Sequence, residues 1–138
     1  MNEAEYKKIE YYLYNYNNID ELINEIKEGL ISNINVSGNA WRKGITICNN
    51  TLENQVIKIV ENKKIIEFKK WQVLIKKVLV FLFQKYPKYY YFINRKYFEK
   101  KSKDEIKGSL KLNFKKQKII KDKLIEFVYK NAKIRNLV

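Results

Sequence analysis

The stretch KYFEKKSKDEIKGSLKLNFKKQKIIKDKLIEF, residues 96–127, decides the fold of the C-terminal part of the chain. Lysine is its commonest residue, yet its apolar residues keep helical spacing. Ser102 and Glu105 form a capping box, in which Ser102 would accept from the amide of Glu105 and Glu105 would reach back to the amide of Ser102. The stretch therefore predicts a helix that Ser102 caps, a turn over residues 111–113 and a second helix over 114–134.

Two apolar stripes would hold these two helices together. The residues that form them are Ile106, Leu110 and Leu112 in the first helix and the turn, and Ile120, Leu124 and Phe127 in the second helix. Successive residues of a helix are about 100° apart, so the face opposite the second stripe is polar and exposed. The residues predicted for that face and its flanks, with the last residue of the turn, are Asn113, Lys115, Lys116, Lys118, Ile119, Lys121, Asp122 and Lys123.

A helix pair with one exposed polar face is typical of a helix-turn-helix, which lays its second helix in the major groove of DNA. The lysines of this face would neutralise phosphates and set the register of the protein on the duplex. Asn113, Asp122 and Ile119 would read bases: an amide pairs with adenine, a carboxylate accepts from cytosine and an apolar side chain meets the thymine methyl. The competing interpretation of each lysine is an ordinary solvated helix face.

The charge of the chain helps to decide between these two interpretations. The sequence has 29 Lys and Arg against 15 Asp and Glu, a net charge of +14, although residues 1–30 carry −4. Residues 85–138 carry +12, from 17 basic and 5 acidic residues. A field of this size attracts polyanions. Together with the capping box and the turn, it favours double-stranded DNA as the partner of the C-terminal part.

Residues that carry most enzyme chemistry are scarce. The sequence has no histidine, four glycines and the single cysteine Cys48, so the usual general base, most transition-metal sites and a glycine-rich phosphate loop are missing. We therefore predict no enzyme activity, no metal and no cofactor. The lone cysteine and the start MNEAEYKK, which lacks an apolar signal region, predict a reducing cytoplasm.

The longest apolar run is Val73–Phe83, which Lys76 and Lys77 interrupt. It is shorter than the ~20 residues that a membrane-spanning helix needs, so we predict a core helix and no membrane partner. A protein that lies on a membrane surface through basic amphipathic helices is a competing interpretation. The acidic first thirty residues disfavour it.

No part of the sequence requires a strand, so the predicted fold class is all-α: a long helical hairpin or coiled-coil arm followed by a C-terminal helix-turn-helix domain. The arm, residues 1–86, has an acidic first helix, a linker over 32–50 and a long second helix that Pro87 ends. The basic domain covers residues 87–138. The two long helices would either pack as a hairpin in a monomer or join two copies in a homodimer, and the sequence leaves both open.

The segment NRKYFEKKSKDEIKGSLKLNFKKQKIIKDKLIEF, residues 94–127, resembles region 4 of bacterial sigma factors, where such a helix precedes the recognition helix. NTLENQVIK, residues 50–58, resembles a segment of the ArpU/RinA-type phage transcriptional regulators, and the chain is similar to that family over most of its length. The resemblance implies a phage or prophage regulator that binds promoter DNA and activates late genes. RNA polymerase is the further partner that it implies.

The chain departs from the pattern of that family at several positions. Lys107 stands where the family favours a small alanine, and Lys111 stands where it has the turn glycine. Asn113 replaces the serine that caps the recognition helix, and Lys116-Gln117 replaces Thr-Val. Because a lysine can extend out of a packed site and an asparagine can cap a helix, the resemblance still implies the same fold.

A phage DNA-packaging protein of the small-terminase kind is the alternative function. Such a protein would also combine helical arms with a helix-turn-helix, but it would assemble as a ring.

Overall fold

The computed structural model describes residues 1–35, with side chains to residue 30, and residues 62–138. All regular structure in these two ranges is helical and none of it is strand, which confirms the predicted all-α class. The helices are α1 (Glu3–Asn15), α2 (Ile19–Asn35), α3 (Lys63–Lys85), α4 (Pro87–Ile93), α5 (Lys103–Leu110) and α6 (Phe114–Ile134), with a 3-10 turn at Tyr16–Asn18 and a π-helical segment at Asn94–Phe98.

The N-terminal helical segment ends later than predicted. The 3-10 turn joins α1 to α2, and α2 continues to Asn35. The predicted linker therefore begins too early, because Ile31 and Ile34 extend the apolar spacing of the helix. The predictions that fall outside the described residues concern the rest of the linker with Trp41 and Cys48, the first part of the long second helix and the segment 50–58.

Pro87 separates α3 from α4. The last turn of α3 closes when the amide of Tyr86 donates to the carbonyl of Leu82 at 2.7 Å. Proline lacks an amide hydrogen and its fixed φ suits the first turn of a helix, so Pro87 stops α3 and starts α4. The prediction that Pro87 ends the long helix is confirmed.

The chain divides into two compact units: Met1–Asn17 with Lys70–Val138 forms the first, and Asn18–Lys69 forms the second. The first unit joins α1 to the C-terminal helices, a grouping that differs from the predicted division between residues 86 and 87. The physical reason is that α1 packs against α6 and against the π-helical segment. α1, which carries three of the seven acidic residues of the first thirty, is therefore part of the body that carries the basic helices, and the other four belong to the second unit.

The core of the first unit is aliphatic and aromatic. Tyr12 stacks on Trp71, with ring centroids 4.5 Å apart and planes 8° from parallel. Ile9 and Leu13 of α1 are fully buried beside them. The buried residues of α6 are Gln117, Ile120, Leu124, Ile125, Val128 and Ala132.

The segment after α6 folds back on the helix. Asn136 takes the left-handed conformation at φ 57°, and the amide of Leu137 donates to the carbonyl of Ala132 at 2.9 Å. These are the features of a Schellman motif, in which a left-handed residue lets the chain satisfy the last carbonyls of a helix. The ammonium of Lys8 donates to the carbonyl of Leu137 at 3.2 Å, so α1 also holds this segment.

The second unit is described over residues 18–35 and 62–69. Asn62 caps α3, because its side-chain oxygen accepts from the amides two and three residues further on, at 3.0 and 3.1 Å. The buried apolar side chains of these ranges are Ile19, Ile23, Ile65 and Phe68.

A pair of substitutions in α6 tests the packing of the first unit. Ile125 is 0% exposed and Ile134 is 81% exposed. We expect Ile125→Ala to lower the free energy of unfolding by about 2–5 kcal/mol, because it leaves a cavity in the core. Ile134→Ala, the same change on the same helix, should alter it by no more than about 0.5 kcal/mol. Urea denaturation followed by circular dichroism measures both, and equal effects would contradict the packing described.

Candidate nucleic-acid interface

α5 begins at the predicted capping residue. The amide of Glu105 donates to the Ser102 hydroxyl oxygen at 3.2 Å. The carboxylate of Glu105 turns back as predicted, but it accepts from the hydroxyl of Ser102 at 3.2 Å. The predicted bond to the Ser102 amide is replaced by this side-chain contact, and the cap still fixes where α5 starts.

The three-residue turn between α5 and α6 has the boundaries that the sequence predicted. Lys111 takes the left-handed conformation, φ 56° and ψ 40°, which explains why the resemblance places a glycine there. Leu112 is buried, and Asn113 caps α6 by accepting from the amide of Lys116 at 2.8 Å. Lys107 extends out of the helix pair, with its ammonium 5.6 Å from the ring centroid of Phe114.

Gln117 connects the two helices, and sequence reasoning missed this role. Its side chain is only 5% exposed, the one buried polar residue of the described range. Its amide nitrogen donates to the carbonyl of Lys103 at 3.0 Å and to the carbonyl of Leu112 at 2.9 Å. One side chain therefore holds the start of α5, the turn and the first turns of α6 together. The signal was present in the spacing, because Gln117 stands three residues before Ile120 on the buried stripe.

The outward face of α6 is basic around a small apolar patch. Lys115, Lys116 and Lys118 are exposed, and so is Lys123 further along the helix. Ile119 is exposed among them, as predicted. Phe114 at the first position of α6 is also exposed, but at 100° per residue it lies about 140° around the helix from Ile119, on the side of Lys107 of α5.

α1 contacts two of the predicted DNA-binding residues. The ammonium of Lys121 lies 3.9 Å from a carboxylate oxygen of Glu10 and 5.5 Å from the ring centroid of Tyr6. The hydroxyl of Tyr6 donates to the carboxylate of Asp122 at 3.4 Å. The sequence predicted both residues for the DNA face, and the structure gives each of them a partner within the protein.

A polar cluster beneath this contact joins α1 to the π-helical segment. Tyr97 is fully buried, and its hydroxyl donates to Glu10 at 3.3 Å. Burial raises the pKa of Tyr97 far above its usual value, and the negative charge of Glu10 adds to the shift. The pKa of Tyr6 is raised by burial and then by Glu10 and Asp122. Both tyrosines therefore remain neutral hydrogen-bond donors at physiological pH.

Lysine side chains also lie beside this polar cluster. Burial lowers the pKa of Lys96, the positive charge of Lys121 lowers it further, and Lys103 acts in the same direction while Glu10 opposes them. The ammonium of Lys96 on the π-helical segment is thus repelled by Lys121 of α6 and by Lys103 of α5. Lys96 and Lys103 are candidate phosphate contacts that the sequence did not single out.

One predicted buried residue, Phe127, is only partly buried. Its ring stacks on Phe81 of α3, with centroids 5.4 Å apart. The stripe of α6 continues instead through Ile125 and Val128, which are fully buried.

Comparison of the chain with protein-family models, with curated proteins and with solved structures gives no match. The resemblance to sigma-factor region 4 and to the ArpU/RinA-type regulators stays a prediction. Within residues 1–35 and 62–138, no helix has the length and apolar character needed to cross a membrane. In the same ranges, no three side chains of the types that hold metal ions lie together.

Gln117→Leu tests the connection between the helices. The substitution removes the side-chain donor to the carbonyls of Lys103 and Leu112, and we expect a loss of about 1–3 kcal/mol in the free energy of unfolding. Gln84→Leu, on the exposed side of α3, is the matched control and should leave it nearly unchanged. Chemical denaturation compares the two, and a Gln117→Leu protein as stable as the control would rule out the connection.

Because Lys111 has the left-handed conformation, replacing a lysine by glycine should have opposite effects on stability at Lys111 and at Lys107. Glycine adopts φ near 56° without the penalty that a Cβ imposes, so Lys111→Gly should stabilise the protein by about 0.5–1 kcal/mol. Lys107→Gly, within α5, should destabilise it by about 1 kcal/mol because glycine is a poor helix former. Thermal unfolding of both variants measures the two shifts, and a destabilised Lys111→Gly protein would contradict the turn geometry.

Proposed function

We propose that this chain is a DNA-binding regulator of transcription that holds double-stranded DNA against the outward face of α6. One observation carries the proposal: exposed lysines surround the exposed Ile119 on the first half of a helix whose start is capped and tied to the preceding helix. Recognition helices contact base edges with their N-terminal residues, which is where Ile119 lies.

The proposed roles follow from the position of each side chain. Lys115, Lys116 and Lys118 contact phosphates, and Lys123 contacts them further along the groove. Ile119 meets a thymine methyl group. The side-chain oxygen of Asn113 is engaged in the cap, so its amide nitrogen is the group that remains for a base or a phosphate.

Lys121 and Asp122, which lie next to α1, are less available to DNA than the other residues of the face. Asp122 and Lys121 are oriented by Tyr6 and Glu10, which weakens the expectation that Asp122 reads cytosine. Lys96 lies near Lys121 and Glu10, so it extends the basic surface toward α1, and Lys103 lies near Lys96. The footprint of the proposed DNA site is therefore centred on the start of α6 and on the turn.

The regulatory part of the proposal rests on the resemblance to the ArpU/RinA-type regulators. It comprises a phage or prophage origin, activation of late genes and RNA polymerase as a partner. A homodimer through the long helices stays a prediction of the same kind, and it would give two copies of the site the spacing of paired half-sites.

Binding of labelled fragments of the source genome, in excess competitor DNA, tests the proposal. We expect one promoter-containing fragment to be retained. Lys118→Ala should weaken its binding and reduce the slope of log affinity against log salt by about 0.9, because one phosphate contact is lost. Lys133→Ala, exposed near the far end of the same helix, is the matched control and should leave the slope unchanged.

Two variants of Asn113 separate capping from contact with DNA. Asn113→Ser keeps an oxygen for the cap but removes the amide nitrogen, so it should weaken DNA binding without destabilising the fold. Asn113→Ala should do both. If all fragments bind equally and Lys118→Ala and Lys133→Ala behave alike, the surface attracts polyanions without selecting DNA sites, and the proposed function is wrong.

A further inference from the structure

An apolar cavity of about 260 Å³ opens on the first unit, away from the start of α6. It lies between the end of α3, the start of α4 and the middle of α6. The apolar and aromatic residues that line it are Phe81, Leu82, Tyr86, Tyr89, Leu124 and Phe127. Lys123 is the one charged residue in its wall.

Large aromatic side chains at this cavity are left in contact with water. Phe81 is 40% exposed and Tyr86 is 54% exposed. Exposed aromatic surface around a concavity is typical of a site for another apolar group, because aromatic anchors dominate the centres of protein interfaces. The cavity is large enough for a bulky side chain of a partner.

The charge around the cavity indicates what kind of partner fits. Residues 68–98, which supply its α3 and α4 walls, contain eight lysines and arginines and no acidic residue. Lys85 and Lys88 stand on either side of the turn at Tyr86, and both are exposed. A second copy that met this surface with its own copy of the same surface would bring like charge to it, whereas an acidic partner would be attracted to it.

We propose that this cavity binds an acidic segment of another protein, which packs one large apolar side chain against Tyr86 and the stacked Phe81–Phe127 pair while its carboxylates face Lys123, Lys85 and Lys88. This is an interaction additional to DNA binding. The cavity meets the proposed DNA face at Lys123, which lines the cavity and is also a proposed phosphate contact, so the two partners would share that one residue.

The ring geometry favours a protein side chain over a nucleic-acid base. The Phe81 and Phe127 rings stack on each other at 20°, and Tyr86 meets Tyr89 edge to face. Each of the two stacked rings therefore has one face covered by the other, and two leucines complete the lining. A single-stranded base binds best to a free aromatic face, whereas an apolar side chain also packs against ring edges and leucine.

Synthetic peptides test the proposal with the full chain. The probe is a fluorescein-labelled peptide of twelve residues with one central tryptophan flanked by aspartate and glutamate, and its anisotropy is measured as protein is added. We expect saturable binding that weakens at least tenfold when the tryptophan is replaced by alanine. Phe81→Ala and Tyr86→Ala should each weaken it at least tenfold, and either serves if the other does not fold.

Phe83→Ala is the matched control for the cavity. Phe83 is on the same helix and is 55% exposed, but it does not line the cavity, so its substitution should leave peptide binding unchanged. Lys118→Ala should weaken DNA binding and leave peptide binding unchanged. Loss of DNA binding and loss of peptide binding can therefore be told apart.

Three results would overturn the proposal. The first is equal binding of peptides with and without the tryptophan, which would mean attraction by charge alone. The second is a protein dimer that forms with concentration and is lost in Phe81→Ala, which would assign the cavity to a second copy. The third is binding of oligothymidine that Phe81→Ala abolishes while peptides fail to bind, which would assign it to single-stranded nucleic acid.

Discussion

The side-chain amide of Gln117 is the interaction on which the C-terminal helix pair depends. It joins two carbonyls that are nine residues apart in the chain, one at the first position of α5 and one in the turn. Because both bonds start from one nitrogen on α6, the direction in which α6 leaves the turn is set by a single buried group. The outward face of α6, with its lysines and its apolar patch, has a defined orientation for the same reason.

α6 serves three surfaces at once. Its buried stripe forms the core, its first turns present the basic face, and its middle forms one wall of the aromatic cavity. α1 limits the basic face from one side, because Tyr6 and Glu10 contact Asp122 and Lys121. α1 thus shapes the site where a polyanion would bind, although it carries none of the lysines that we propose contact DNA.

Much of this architecture could be read from local signals. The cap at Ser102, the turn at 111–113 and the stop at Pro87 depend on residues close together in sequence, and each lies where the pattern placed it. The roles of Lys121 and Asp122 depend on groups far away in the chain, which periodicity cannot reveal. The role of Gln117 depends on two backbone carbonyls, 14 and 5 residues before it, which periodicity does not reveal either. A polar residue on an apolar stripe was the one available signal for Gln117, and the acidic charge of α1 did not indicate that it would contact α6.

The packing of α1 against α6 has a consequence for how the protein is made. Tyr6 and Asp122, which meet in the folded protein, are 116 residues apart. α1 leaves the ribosome long before α6 has been synthesised, so the apolar face of α1 remains exposed until α6 is available to pack against it. Contacts between such distant residues slow folding, because a long loop has to close before they form. A chaperone that shields the first helix during translation would therefore protect the nascent chain from aggregation.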